Sequence, residues 1–120
     1  MAVFQRCLIV DDSPVFLASA STLLDSQGVK VSACASNSEA ALVAAEKSRV
    51  DIALVDVELG DEDGLGLARA LVERDPNLRV VLISAYEFDD VSELIEGSGA
   101  VGFISKTALS RQAINQLLGR

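Results

Sequence analysis

Apolar residues along this chain come in short, β-branched bursts, separated by stretches in which they recur every three or four positions. The bursts cover roughly residues 6–10, 29–35, 52–55, 80–83 and 102–104, and predict five buried strands. The intervening stretches predict helices. In the first, Phe16, Ala20, Leu23 and Leu24 fall on one face behind Ser13 as N-cap and Pro14 at the first helical position, and Gly28 stops it. The second, residues 38–47, turns Ala41, Ala44 and Ala45 inward behind a Ser38 cap. The third, residues 64–74, carries Leu65, Ala68, Leu71 and Val72 and ends at Pro76. A short acidic fourth helix holds Val91, Leu94 and Ile95, and a fifth, residues 109–118, holds Leu109, Ala113, Leu117 and Leu118.

Strict alternation of strand and helix, with strands apolar throughout, implies a parallel sheet covered on both faces: a doubly wound, three-layer α/β/α sandwich. Right-handed crossovers bring the carboxyl ends of all the strands to one edge, where such sheets bind ligands. That edge receives Asp11 and Asp12 after the first strand, Asp56 after the third, Ser84 after the fourth and Lys106 just past the fifth.

Composition narrows the picture. At 120 residues, half of them hydrophobic, the chain can close one core, and residues 1–120 are expected to form a single domain. No apolar run approaches the roughly 20 residues of a membrane-spanning helix. The N-terminus lacks the pattern of a signal peptide, so the expected location is the cytoplasm, away from membranes. Cys7 and Cys34 share no metal-ligand spacing, there is no histidine to complete a zinc or nucleophile site, and both cysteines read as small buried hydrophobes. Ten Lys and Arg, scattered along the chain, stand against 18 Asp and Glu for a net charge of −8, which argues against direct nucleic-acid binding.

Taken singly, each edge residue has an ordinary reading: Asp-Asp as a solvated turn or cap, Ser84 as a turn hydroxyl, Lys106 as a solvated cation and Phe103 as core. Together they are complementary. Three carboxylates at one edge repel unless a cation joins them, which points to a hard divalent ion, Mg²⁺, with oxygen ligands. A lysine and a hydroxyl converging there suit phosphoryl oxygens, and a carboxylate can itself be the nucleophile that forms an acyl phosphate.

These residues carry a family resemblance. Ile9-Val10-Asp11-Asp12-Ser13, Val55-Asp56 with Asp63-Gly64 beyond it, Leu82-Ile83-Ser84-Ala85 and Gly102-Phe103-Ile104-Ser105-Lys106 make the chain similar to the receiver domain of two-component response regulators over essentially its full length. The resemblance implies Asp56 as phosphoacceptor, with Asp12, Asp56 and the Glu58 carbonyl as direct Mg²⁺ ligands and Asp11 acting through water. It also implies Ser84 and Lys106 as binders of phosphoryl oxygens, Phe103 as an aromatic switch coupled to Ser84, and Ala85 as the small residue beside the site. Three departures stand out. Gly60 replaces a frequent proline four residues after the phosphoacceptor, which predicts a loosened loop through Leu59, Gly60 and Asp61. Thr107 replaces a frequent proline after the lysine, which leaves the geometry of the Lys106–Thr107 peptide open. Glu58 adds an acid two residues past Asp56, and with Tyr86, two past Ser84, is expected to tune the lifetime of the phosphorylated state.

The resulting expectation is a receiver of flavodoxin-like strand order 2-1-3-4-5, with the first and fifth helices on one face and the other three opposite. It would be a phosphoacceptor that assists its own phosphorylation and dephosphorylation rather than an enzyme. A histidine kinase or phosphotransfer protein is the expected donor. A protein partner would read the face of the fourth helix, fifth strand and fifth helix, and a homodimer stays open. Two alternatives remain: the receiver half of a DNA-binding transcriptional regulator, whose effector would follow Arg120, and a Mg²⁺-dependent phosphohydrolase with Asp56 as nucleophile.

Overall fold

The apolar bursts pair in register as five parallel strands. A computed structural model describes residues 6–119, so the reading of the extreme N-terminus at residues 1–5 and of Arg120 lies outside the described residues. In chain order the elements are β1 (Arg6–Val10), α1 (Pro14–Ser26), β2 (Lys30–Ala35), α2 (Ser38–Lys47), β3 (Ile52–Asp56), β4 (Glu58–Leu59), β5 (Glu62–Asp63), α3 (Gly64–Arg74), β6 (Arg79–Ser84), α4 (Ser92–Ser98), β7 (Gly102–Ser105) and α5 (Arg111–Leu117). The main sheet runs β2-β1-β3-β6-β7, which is the order 2-1-3-4-5 when only its own strands are counted.

Alternate residues of the central strands feed two cores, as the pleat requires. Cys7, Ile9, Ile52, Leu54, Val81 and Ile83 pack with Ala20 and Leu24 of α1 and Ile114 of α5. Leu8, Val10, Ala53, Val55, Val80 and Leu82 pack with Ala41 of α2, Leu67, Ala68 and Leu71 of α3, and Leu94 of α4. Two helices therefore cover one face and three the other. Among the described residues no helix is long and apolar enough to cross a membrane.

Several local expectations are corrected. The second strand lies at the edge, as the expected order places it, but is mostly half-exposed rather than buried because only β1 pairs with it; Cys34 on it is consequently exposed, while Cys7 is buried. Leu23 is 39% exposed, since α1 offers the sheet a narrower stripe than the pattern suggested. Asn37, not Ser38, caps α2: its side chain accepts from the Ala40 amide at 2.8 Å, while the Ser38 amide donates to Glu62 Oε1 at 2.9 Å. A 3₁₀ turn over Lys106–Ala108 and a Ser110 cap delay α5, leaving Leu109 buried just ahead of it.

The loop after β3 is not loosened. It closes as an antiparallel hairpin in which Leu59 faces Glu62 and Glu58 faces Asp63. Gly60 takes φ +59°, and no described residue other than glycine has positive φ. Positive φ at the first central position alone is the habit of a type II′ hairpin, which glycine supplies without strain. The hairpin is thereby held beside Asp12, whose Oδ2 lies 3.5 Å from where a Gly60 side chain would begin.

Candidate functional site

The carboxyl ends of β1 and β3 are neighbours because those strands pair directly, and this adjacency assembles the acids. Asp11 leaves β1 with its amide still bonded to the Ala35 carbonyl (3.0 Å), and its Oδ1 accepts from the Ser13 amide at 2.8 Å. Asp12 is exposed beside it, and Asp56 ends β3 with 4% exposure. Asp11, Asp12 and Asp56 each offer an oxygen, and these lie within 4.8 Å of one another.

Lys106 enters from the end of β7. Its Nζ donates to Asp56 Oδ2 at 3.2 Å, lies 2.5 Å from Asp11 Oδ2 in an ion pair, and sits 4.5 Å above the Phe16 ring. Apart from this ion pair, the buried Asp11 Oδ2 has no hydrogen-bond partner. Asp56 Oδ1 accepts from the Glu58 amide at 3.0 Å. Burial lifts the Asp56 carboxyl above the ordinary carboxylate range, against the pull of the Glu58 amide and Lys106, and Asp11 adds to the rise. Burial would lower Lys106, but the Asp11 and Asp56 carboxylates outweigh it and hold the ammonium above its ordinary value.

Asp11 and Asp56 thus share one ammonium at a buried strand end, with the exposed Asp12 carboxylate beside them and one Asp11 oxygen lacking a hydrogen bond. That donor set, all oxygen and anionic, fits Mg²⁺. The chemistry is that of a Mg²⁺ site.

The remaining residues named from sequence form a second group. Ser84 ends β6, fully buried; its hydroxyl donates to Glu58 Oε1 at 3.0 Å and accepts from the Tyr86 amide at 3.0 Å. Its hydroxyl is thus bonded to Glu58 and Tyr86 and to neither Asp56 nor Lys106. Tyr86 is 63% exposed, and Ala85 is exposed. Phe103 on β7 is half-buried against the core and meets Phe88 edge-on, with ring centroids 5.6 Å apart at 87°. The Lys106–Thr107 peptide is trans. Sequence reasoning took Phe16 for core alone and missed its seat under Lys106; an aromatic one turn after the Asp-Asp pair was the available signal. It also missed the Glu58 side chain as partner of Ser84, which no periodicity marks.

The sequence profile described as "Response regulator receiver domain" matches residues 7–118. The chain belongs to the response regulator receiver family. This receiver is 28% identical over 117 residues to the transcriptional regulatory protein ComA of Bacillus subtilis, a match covering 95% of this chain and 54% of that protein. It resembles the solved CheX-CheY-BeF3-Mg+2 complex of Borrelia burgdorferi (28% identity, TM-score 0.80, 95% of this chain and 86% of that one). It also resembles a response regulator protein of Burkholderia pseudomallei with a phosphorylated aspartic acid, calcium ion and citrate (26% identity, TM-score 0.82, 94% and 66%). The chain spans between 26% and 54% of the length of the first curated relatives it matches.

Proposed function

We propose that Asp56 is the phosphoacceptor of this receiver, and that residues 1–120 act as one cytoplasmic signalling domain taking its phosphoryl group from a histidine kinase or phosphotransfer protein. One observation carries the assignment: Asp56 is the acid at the central strand end that Lys106 and the Glu58 amide grip by its two oxygens, beside Asp11 and Asp12. In the transfer, the P–N bond of the donor's phosphohistidine breaks as a P–O bond to an Asp56 oxygen forms. Lys106, already held protonated at this corner, offsets the charge that arrives on the phosphoryl oxygens. Asp12, Asp56 and the Glu58 carbonyl would hold Mg²⁺, with Asp11 acting through water. The ion would supply charge neutralisation for the phosphoryl group. Ser84 would turn to a phosphoryl oxygen, Phe103 would follow it, and the face formed by α4, β7 and α5 would carry the change to a protein partner, as a population shift between two arrangements. Glu58 and Tyr86 would tune how long that state lasts.

Incubation with acetyl phosphate and Mg²⁺ should add one phosphoryl group by intact mass, and Asp56→Asn should abolish it. Labelling that survives in Asp56→Asn overturns the assignment. Turnover of a generic phosphate ester, far beyond one equivalent, would instead favour a phosphohydrolase.

A second reading has one observation behind it, the match to about half of a transcriptional regulatory protein. On that reading the receiver governs a DNA-binding partner domain and does not itself touch DNA. Retention of this chain on duplex DNA at physiological salt would contradict it, as would a gene whose reading frame carries no DNA-binding segment.

A further inference from the structure

The Ser84 hydroxyl has a single proton, and in this structure that proton is already committed. Its acceptor side takes the Tyr86 amide, and its O–H points to Glu58 Oε1, both at 3.0 Å. Ser84 is fully buried, whereas Glu58 belongs to an exposed hairpin residue that reaches back over the strand end. The same residue donates its amide to Asp56 Oδ1, so Glu58 bridges the acid and the hydroxyl at once. Its position is fixed by the hairpin, where it faces Asp63 across the β4–β5 pair.

We infer that the Glu58 carboxylate is a built-in competitor of the phosphoryl group: it satisfies Ser84 in the resting receiver and must be displaced before Ser84 can engage a phosphoryl oxygen on Asp56. The inference rests on the assignment of Asp56 as phosphoacceptor. The chemistry is that of one anionic oxygen acceptor exchanged for another. A carboxylate and a phosphoryl oxygen compete for the same donor, and hydrogen bonds to charged acceptors are the stronger kind. Glu58 is thus a positioning residue that sets the resting poise through Ser84, a role separate from any effect its charge has on the incoming anion.

Those two effects are separable by a double-mutant cycle. The probe is beryllium fluoride, a tetrahedral phosphoryl analogue on carboxylates, titrated calorimetrically in saturating Mg²⁺ into the parent, Glu58→Ala, Ser84→Ala and the double variant. Glu58→Ala leaves the residue 58 amide and carbonyl in place. It should tighten binding about tenfold in the parent background, the scale of one charged hydrogen bond released, and by less than about twofold when Ser84 is already Ala. A tightening of equal size in both backgrounds would show charge repulsion alone and overturn the competitor role, as would no tightening in the parent. Failure of the parent itself to bind the analogue would strike at the phosphoacceptor assignment instead. The rate of labelling by acetyl phosphate, measured on the same four proteins, should follow the same pattern.

Discussion

Asp56 pays an electrostatic cost for being where it is. Its carboxyl is buried and its pKa stands above the ordinary 3.8, even with Lys106 and the Glu58 amide opposing the shift. The sign of the consequence follows from linkage: an unfolded chain releases this proton first, so the stability that Asp56 contributes is complete below about 3.8 and is lost as pH rises through its folded value. At neutral pH without a metal, the charged form is a burden on the fold. Asp56→Asn should therefore melt above the parent at pH 7 in the absence of Mg²⁺, with the gap narrowing as pH falls toward 4. A lower Tm at pH 7 would mean that loss of the Lys106 pair outweighs relief from burial. The acids and Lys106 were legible in the sequence because strand ends fix them within a residue or so. The aim of Glu58 was not, since a long side chain on a two-residue strand leaves no periodic trace.

Gly64 ties the acid to the helix behind it. A Cβ there would lie 1.9 Å from the Asp56 carbonyl oxygen and 2.8 Å from that of Val57, so α3 can begin this close to β3 only without a side chain. Gly97, inside α4, is the counter-case: a Cβ would meet nothing within 4 Å. Glycine to alanine in a helix ordinarily stabilises by up to about 1 kcal/mol, and Gly97→Ala should do so. Gly64→Ala should instead destabilise by about 2–3 kcal/mol in urea unfolding, because backbone must move. A neutral Gly64→Ala would remove the close approach from the account. Element boundaries show where pattern reading stops. The β4–β5 hairpin is too short for periodicity, and Gly60 was read for freedom when its place before Asp61 served a tight turn. The expected strand order already put β2 at an edge, but its apolar run reads like that of a buried strand, which is why Cys34 was expected inside.

The architecture itself was legible because the apolar strands leave few solutions: strands apolar on both faces need helices on both, and short right-handed crossovers then bring the site to one edge. The consequence for the whole molecule is that the carboxylates of the site hang on β1 and β3, neighbours at the centre of the sheet, and not on a separable loop. An ion held there binds the folded chain and finds no such cluster in the unfolded one, so it should stabilise the entire cooperative unit. At a free Mg²⁺ concentration of 100 times its dissociation constant, the gain is about 2.7 kcal/mol, which for a domain of this size raises Tm on the order of 10 °C. Asp12→Ala should lose most of that shift while keeping a metal-free Tm near the parent's, because Asp12 is exposed and removing it leaves no buried group without its partner. If Mg²⁺ lifts Asp12→Ala as far as the parent, the ion is stabilising the −8 chain by general screening of its charge, and the three-acid site is not where it binds.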